Sequence, residues 1–230
     1  MKKNGGSQAF GCSICVSLKN TIHYYIVNKT FSIMGTEKKK AHAGLLYDAN
    51  YDAELLAERA ACAEKIHELN LMSPSREAER QELLRGLLGR TPERFTILSP
   101  FFCDYGYNIE VGEDFFMNVN CVVLDGARVT FGNHVFVAPG CGFFTAGHPL
   151  DVEQRNRGLE IALPITVGDN VWIGGNVSVL PGVTIGEGSI IGAGSVVTHD
   201  IPAGVIAVGN PCRVVRRITE ADRFKYRRDE

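Results

Sequence analysis

From Asp52 to Asn70 the apolar residues Leu55, Leu56, Ala60, Cys62, Ala63, Ile66 and Leu69 recur at helical spacing, with Asp52 as N-cap and Glu54 in the first turn. The pattern predicts an amphipathic helix. A second is predicted from Ser73-Pro74, a capping residue with proline at the first helical position, through Leu83, Leu84, Leu87 and Leu88 to Gly89 as the stop. From about residue 99 the period changes to six. Val167, Ile173, Val179, Ile185, Ile191 and Val197 open successive hexads, and Gly168, Gly174, Gly186 and Gly192 follow four of them. Val171, Val177, Val183, Ser189, Ser195 and Ile201 take the fifth position. Phe131 to Ala138 carries the same register, and so does Val111 to Phe115 after a two-residue slip.

A six-residue period suits neither a helix face nor a long flat strand, but it suits very short strands meeting at corners. One aliphatic side chain per hexad points inward and stacks on its equivalent one coil away. The second-position glycine relieves a corner that backbone conformation or close packing denies to a Cβ. The predicted fold is therefore all-β with a small α appendage, a parallel β-helix of hexapeptide repeats preceded by two short helices. A β-sandwich would instead show period-two alternation with turns about every 8–12 residues.

The chain divides into an unstructured extension over 1–33, a helical segment over 38–95, the β-helix over 96–208 and a basic C-terminal cap over 209–230. Met34 opens a change of composition, so the preceding residues are read either as upstream sequence before a natural start or as a targeting segment. Within the coil, residues 146–163 leave the hexad register as a largely polar excursion, the kind of irregular loop that carries function on a rigid scaffold.

Composition narrows the function. The 230 residues carry 24 Lys plus Arg against 26 Asp plus Glu, and 45% are apolar, which fits one large globular domain. A formal charge of −2 offers no electrostatic footprint for nucleic acid, and no run approaches the roughly 18 apolar residues of a membrane span. Seven irregularly spaced cysteines read as thiols in a reducing cytoplasm. Cys12 and Cys15 form a lone pair without the further ligands of a structural zinc, so no metal is expected.

The runs AGLLY at 43–47, CDYGYNI at 103–109, TAGHP at 145–149, VWIGG at 171–175, PGVTIG at 181–186, IGAGSVVT at 191–198 and GNPCRVVR at 209–216 carry a resemblance. The sequence resembles the hexapeptide-repeat acyltransferases, and among them the maltose and galactoside O-acetyltransferases together with the nodulation acetyltransferases. The resemblance covers about Lys38 to Arg217. It implies a left-handed coil, a homotrimer, acetyl-CoA in the cleft between neighbouring coils, and N-terminal helices that help to close an acceptor pocket. The activity it implies is transfer of acetyl to a sugar hydroxyl.

An alcohol is hardly acidic at neutral pH, so such a transfer needs a base, and histidine is the natural one. His148, in the TAGHP run, matches the family's catalytic histidine; Asp151, Glu160 or a backbone carbonyl would orient its second nitrogen. His134, at a repeat corner, and His199, where the family contacts CoA through backbone, are not the expected base. For the acceptor the resemblance points to Asp104 and Asn118. Phe116 stands where the galactoside enzymes carry Tyr, and Gly126 where they carry an acid whose role Asp125 either assumes or does not. The alternative for Asp104 is a corner carboxylate that binds backbone N–H groups.

On the donor side Gly175, Ala193, Thr198, His199, Arg213 and Arg216 match the family's positions, with small residues admitting the pantetheine arm and arginines suiting phosphates. Trp172 either packs beside the arm or covers the outside of the coil. A backbone N–H in the Gly174-Gly175 stretch is the candidate oxyanion donor. No cysteine matches a nucleophile position, so direct attack in a ternary complex is expected. Other readings are an acetyltransferase of a non-sugar hydroxyl such as an antibiotic, a zinc carbonic anhydrase built from three histidines at an interface, and a non-catalytic scaffold.

Overall fold

The computed structural model describes residues 35–226, so the extension expected over 1–33 and the end of the basic cap lie outside the described residues. Short parallel strands stack into three walls. The first holds Ile109–Glu110, Val129–Phe131, Ile165–Val167 and Thr184–Ile185. The second holds Phe95–Ile97, Phe115–Met117, Phe136–Val137, Trp172–Ile173, Ile190–Ile191 and Val205–Val208. The third holds Phe101–Cys103, Cys121–Leu124, Gly142–Phe144, Ser178–Val179 and Val196–Val197. The chain visits first, second and third walls in turn and then climbs one coil, which is the parallel β-helix that the hexads predict.

Two residues per hexad point inward, where one was expected: Val167, Ile173 and their equivalents are buried, and so are the fifth-position residues from Val171 to Ile201. The polar members of the inner set are satisfied, Ser189 Oγ donating to the Pro202 carbonyl at 2.7 Å and Ser195 Oγ to that of Gly192 at 2.6 Å. Full burial of one Val or Ile contributes about 1.5–3 kcal/mol, and its repetition at every coil is what holds strands of two residues in place. Of the two reasons considered for the second-position glycines, close packing is the one realised. A Cβ on Gly168 or Gly174 would stand 2.7 or 2.6 Å from the backbone nitrogen of Glu187 or Ala193, one coil on.

The slip in the sequence is a change of coil size. Phe116 pairs with Phe136, twenty residues on, whereas Trp172 pairs with Ile190, eighteen on. The two extra residues fall where the third wall turns into the first, in the segments 104–108 and 125–128. A wider coil needs bulkier filling. Its interior is rich in phenylalanine, with Phe115 and Phe143 each 4.9 Å from Phe131 between ring centroids.

Three helices, not two, precede the coil. α1 (Glu37–His42) escapes the periodicity because only Ala41 is buried; Glu37 in its first turn and Lys39, Lys40 and His42 in its last complement its dipole. α2 (Ala53–Leu71) starts as expected, the Asp52 side chain accepting from the Leu55 N–H at 3.0 Å, and buries Leu55, Cys62, Ile66 and Leu69 while Leu56 stays exposed. α3 (Glu77–Leu87) begins three residues after Pro74, because Ser73 spends its hydroxyl on Ser75 and its carbonyl on the Arg76 N–H. Gly89 follows the last turn as a point of close approach, since a Cβ there would lie 2.1 Å from the Tyr107 carbonyl oxygen.

The excursion is more regular than expected. Ala146–Gly147 and Leu159–Ala162 form an antiparallel pair whose tip carries α4 (Val152–Asn156), capped by Asp151. Tyr47–Asp48 adds a third strand on the far side of Leu159–Ala162. Under this sheet a small apolar cluster of Ala41, Tyr47, Ala49, Leu55, Tyr105, Ala127 and Ala162 welds the N-terminal segment to the coil. At the other end Arg213–Arg217 folds back antiparallel on Val205–Val208.

The outer faces of the walls differ. Glu110, Thr130, Thr166 and Thr184 stack outside the first wall. Thr96, Phe116, Phe136, Trp172, Ile190 and Ile206 stack outside the second, and Phe102, Val122, Gly142, Ser178 and Val196 outside the third. One face is polar and two are apolar or small.

Candidate active site

Two edges flank the third wall. Edge A, between the second and third walls, carries 118–120, 138–141, 174–177 and 192–195. Edge B, between the third and first walls, carries 104–108, 125–128, the excursion and 198–200.

At edge B the wide corner is organised by Asp125. Its Oδ1 accepts from the backbone N–H groups of Asp104 at 3.0 Å and Tyr105 at 2.9 Å, its Oδ2 from that of Asn108 at 3.3 Å, and its carbonyl from Asn108 Nδ2 at 2.7 Å. Burial pushes its carboxyl up to about 6 against the pull of these donors. Asp125 has no exposed surface, so it shapes the corner and does not reach an acceptor. The corner role considered for Asp104 thus belongs to Asp125. Asp104 is half-buried, and its carboxylate has no hydrogen-bond partner among the described residues. Burial pushes it up, the nearby Arg59 opposes, and Glu160 adds to the rise.

His148 follows the strand Ala146–Gly147 and is exposed. Of the three groups that could orient it, Asp151 accepts from the Gln154 N–H as the cap of α4, and Glu160 Oε2 accepts from Tyr47 Oη at 3.0 Å. The Leu159 carbonyl lies 3.4 Å from Nδ1. A carbonyl only accepts, so the neutral ring that meets it carries its proton on Nδ1 and a lone pair on Nε2. Thr198 and His199 sit two coils further along the same edge, Thr198 Oγ1 and His199 Nδ1 being 2.7 Å apart.

Edge A holds Asn118, whose Oδ1 accepts from the Val119 N–H at 2.8 Å, together with Gly175 and Ala193. The Gly174 N–H donates to the Ile191 carbonyl at 2.8 Å and is unavailable to an oxyanion, whereas the N–H groups of Gly175 and Ala193 have no partner among the described residues. A Cβ at Gly175 would meet only the Pro139 carbonyl oxygen, at 3.4 Å, with open space beyond. Trp172 and Phe136, both 53% exposed, and Phe116 stand on the outside of the second wall beside this edge. Arg213 is exposed, but both Nη atoms of Arg216 bond Asp222, at 2.8 and 2.6 Å, so its guanidinium is already engaged. His134 lies on the remaining edge, 3.4 Å from Asp114. A single chain therefore brings Asp104, His148, Thr198 and His199 to one edge and Asn118, Gly175 and Ala193 to the other. Four extended residues separate them by about 13 Å.

Residues 40–92 match the maltose acetyltransferase hexapeptide capping motif, and residues 164–199 match six bacterial transferase hexapeptide repeats. A Saccharomyces cerevisiae protein described as a "putative acetyltransferase" is 56% identical over 179 residues, 78% of this chain and 91% of the relative. A Staphylococcus aureus protein with the same description is 52% identical over 183 residues, 80% of this chain and 92% of its own. Among solved structures, a maltose O-acetyltransferase from Clostridium difficile is 45% identical with a TM-score of 0.79, covering 81% of this chain and 100% of that one. A galactoside acetyltransferase in complex with coenzyme A is 37% identical with a TM-score of 0.81, covering 85% and 97%. The chain belongs to the hexapeptide-repeat acetyltransferases.

For an acetyltransferase of this family, several residues that shape the site carried no role in the sequence. Tyr47 closes the AGLLY run, yet its partner Glu160 lies 113 positions away. Its buried phenol is pushed above the usual range by burial and by that carboxylate. Lys38 lies 2.7 Å from Glu58 and 4.2 Å over the Tyr107 ring, and Tyr107 Oη donates to Glu58 at 2.6 Å. This clamp ties α1 and α2 to edge B. Among the described residues no three His, Cys, Asp or Glu side chains gather as a metal ion requires, and no helix is long and apolar enough to cross a membrane.

Proposed function

We propose that this acetyltransferase moves the acetyl group of acetyl-CoA to a hydroxyl of a sugar acceptor, with His148 as general base. The observation that carries the reading is the Nδ1 contact to the Leu159 carbonyl, which leaves Nε2 as the proton acceptor of an exposed ring on the edge that also carries Asp104. Nε2 takes the acceptor hydroxyl proton as its oxygen attacks the thioester carbon. The tetrahedral intermediate then expels the CoA sulfur, which receives the proton back from the imidazolium. Asp104 suits hydroxyl recognition because its carboxylate is unpaired and accepts several hydrogen bonds.

The working unit in this reading is a homotrimer. A three-sided prism with two apolar outer faces and one polar face buries both apolar faces when three copies meet, with the threonine face left to water. A staggered apposition, in which the second wall of one copy overlaps the third wall of the next only in part, would bring edge A of one beside edge B of the other. The separated halves of the site then become neighbours. Acetyl-CoA would lie in that cleft, its pantetheine arm passing the open side of Gly175 with an amide facing the free N–H group of Ala193 and its phosphates near Arg213. Gly175, not Gly174, is the oxyanion candidate. All five described cysteines are unbridged thiols, which suits a cytoplasmic enzyme.

The test is thiol release from acetyl-CoA against maltose, glucose, galactosides and chloramphenicol. Release that requires a sugar, and that falls by about 10²–10⁴ in His148→Ala with acetyl-CoA binding retained, is the expected result. Sugar-dependent release that survives in His148→Ala would remove His148 from the chemistry. Release with chloramphenicol alone would replace the sugar by another class of alcohol.

A further inference from the structure

Glu160 stands opposite Tyr47 on one side of its strand. On the other side, the register that pairs Ala146 with Ala162 and Gly147 with Ile161 continues to place it opposite His148. Opposed residues of antiparallel strands project from the same face, so Tyr47, Glu160 and His148 form one row across the three-stranded sheet. The carboxylate is fixed in that row, its Oε2 accepting from Tyr47 Oη at 3.0 Å, while its Oε1 has no hydrogen-bond partner among the described residues. It is not engaged in orienting the imidazole, because the Leu159 carbonyl faces Nδ1. Glu160 also lies near enough to Asp104 for its charge to oppose ionisation of that carboxyl.

The row ends over Gly126. A Cβ added there would lie 3.0 Å from Tyr47 Oη and 3.4 Å from Ala162 Cβ. Tyr47 therefore occupies the space that a side chain at position 126 would enter, and with it brings in a carboxylate from the hairpin.

We propose that Glu160, held by Tyr47, is a specificity-determining residue that accepts a hydrogen bond from an acceptor hydroxyl next to the one acetylated. The proposal rests on the reading of His148 as the base beside the acceptor, and it narrows that reading to acceptors with adjacent hydroxyls. Two carboxylates with unpaired oxygens, Glu160 Oε1 and Asp104, offer paired acceptor sites on one edge, which a vicinal diol satisfies and an isolated alcohol does not.

The experiment compares steady-state kinetics of the wild type, Glu160→Gln and Tyr47→Phe on a sugar acceptor and on its deoxy analogues, each lacking one hydroxyl beside the acetylated position. Glu160→Gln is expected to raise the acceptor KM by about tenfold or more. Its kcat, its acetyl-CoA KM and its pH–rate profile should stay close to those of the wild type. Tyr47→Phe, which frees the carboxylate without removing it, should raise the acceptor KM less. One deoxy analogue should be as poor for the wild type as the full sugar is for Glu160→Gln, and this arm needs no variant to fold.

A fall in kcat with a shifted pH profile at unchanged acceptor KM would make Glu160 a partner of His148 and overturn the proposal. Unchanged kinetics in Glu160→Gln, or equal turnover of every deoxy analogue, would overturn it while leaving the transferase reading standing. Failure of the folded wild type to acetylate any hydroxyl would overturn both.

Discussion

Edges A and B bound the same wall and are built on different principles. Edge A is periodic: a turn of similar backbone recurs at each coil, and small residues such as Gly175 and Ala193 leave its N–H groups open to the outside. Edge B is individual. It takes two extra residues in each wide coil, needs a buried carboxylate to hold them, and then opens into a hairpin that pairs with the N-terminal segment. The difference follows from what each edge has to recognise in the proposed function. A pantetheine arm is a linear chain of amides, and a ladder of equivalent N–H groups can meet it. A sugar presents hydroxyls at unequal positions, and a repeat cannot match them without a local departure from the repeat.

The largest expected effect comes from separating the two edges. Phe136, half exposed in the aromatic column of the second wall, touches neither reacting centre in a single chain. In the proposed trimer Phe136→Asp would place a charge in a desolvated interface, which is strongly unfavourable. Sedimentation should report monomers where the wild type gives trimers, with turnover lost by about 100-fold or more because removing the properly positioned base alone costs that much. A monomeric variant with full turnover would mean that one chain holds a complete site, and the division between edges would lose its meaning.

A second effect isolates the buried carboxylate of edge B. Asp125 has its folded value raised to about 6 by burial, above an unfolded value of about 3.9. Between these values the folded protein binds more protons than the unfolded chain, so stability falls as pH rises through the window. The full difference is about 3 kcal/mol by pH 7. Thermal melting of the wild type should show a contribution that declines from pH 4 to 7 and that is missing in Asp125→Asn. Parallel profiles for the two proteins would show that the backbone donors of Tyr105 and Asn108 offset burial in full.

The same contrast governs what could be read from the chain. Edge A and the interior were legible because a repeat writes its contacts into a local period: each inner Val or Ile declares itself at six-residue spacing. The placement of His148 on the excursion was legible through the TAGHP run. What a period cannot show is which of two acids turns inward, so the corner role considered for Asp104 fell to Asp125 once its backbone donors were visible. Nor can it show partners that are far apart in sequence, such as Tyr47 with Glu160, or a local competitor such as Asp222, which engages the arginine expected at a phosphate. Helix α1 was invisible for a related reason, since six residues with one buried position have no face to declare. The separation of candidate site residues onto two edges was hidden as well, because neighbours in the TAGHP and VWIGG runs belong to different coils and edges.

The smallest and sharpest test uses two adjacent glycines on edge A. Gly174 and Gly175 look alike in the sequence, but a Cβ on Gly174 would lie 2.6 Å from the Ala193 nitrogen and 3.0 Å from the Ile191 carbonyl oxygen, both rigid backbone. Gly174→Ala must push two coils apart and should cost about 1–3 kcal/mol, as overpacking does, lowering the melting temperature by several degrees. A Cβ on Gly175 meets only the Pro139 carbonyl oxygen, at 3.4 Å, and its φ is not positive, so Gly175→Ala should melt within about 0.5 kcal/mol of the wild type. Its methyl group would project instead into the proposed path of the pantetheine arm and raise the acetyl-CoA KM several-fold, with the acceptor KM unchanged. The pair thus separates packing between coils from access for the donor within one turn of the chain. Equal melting losses in both variants would assign both glycines to the fold, whereas an acetyl-CoA KM that Gly175→Ala leaves untouched would move the donor track away from edge A.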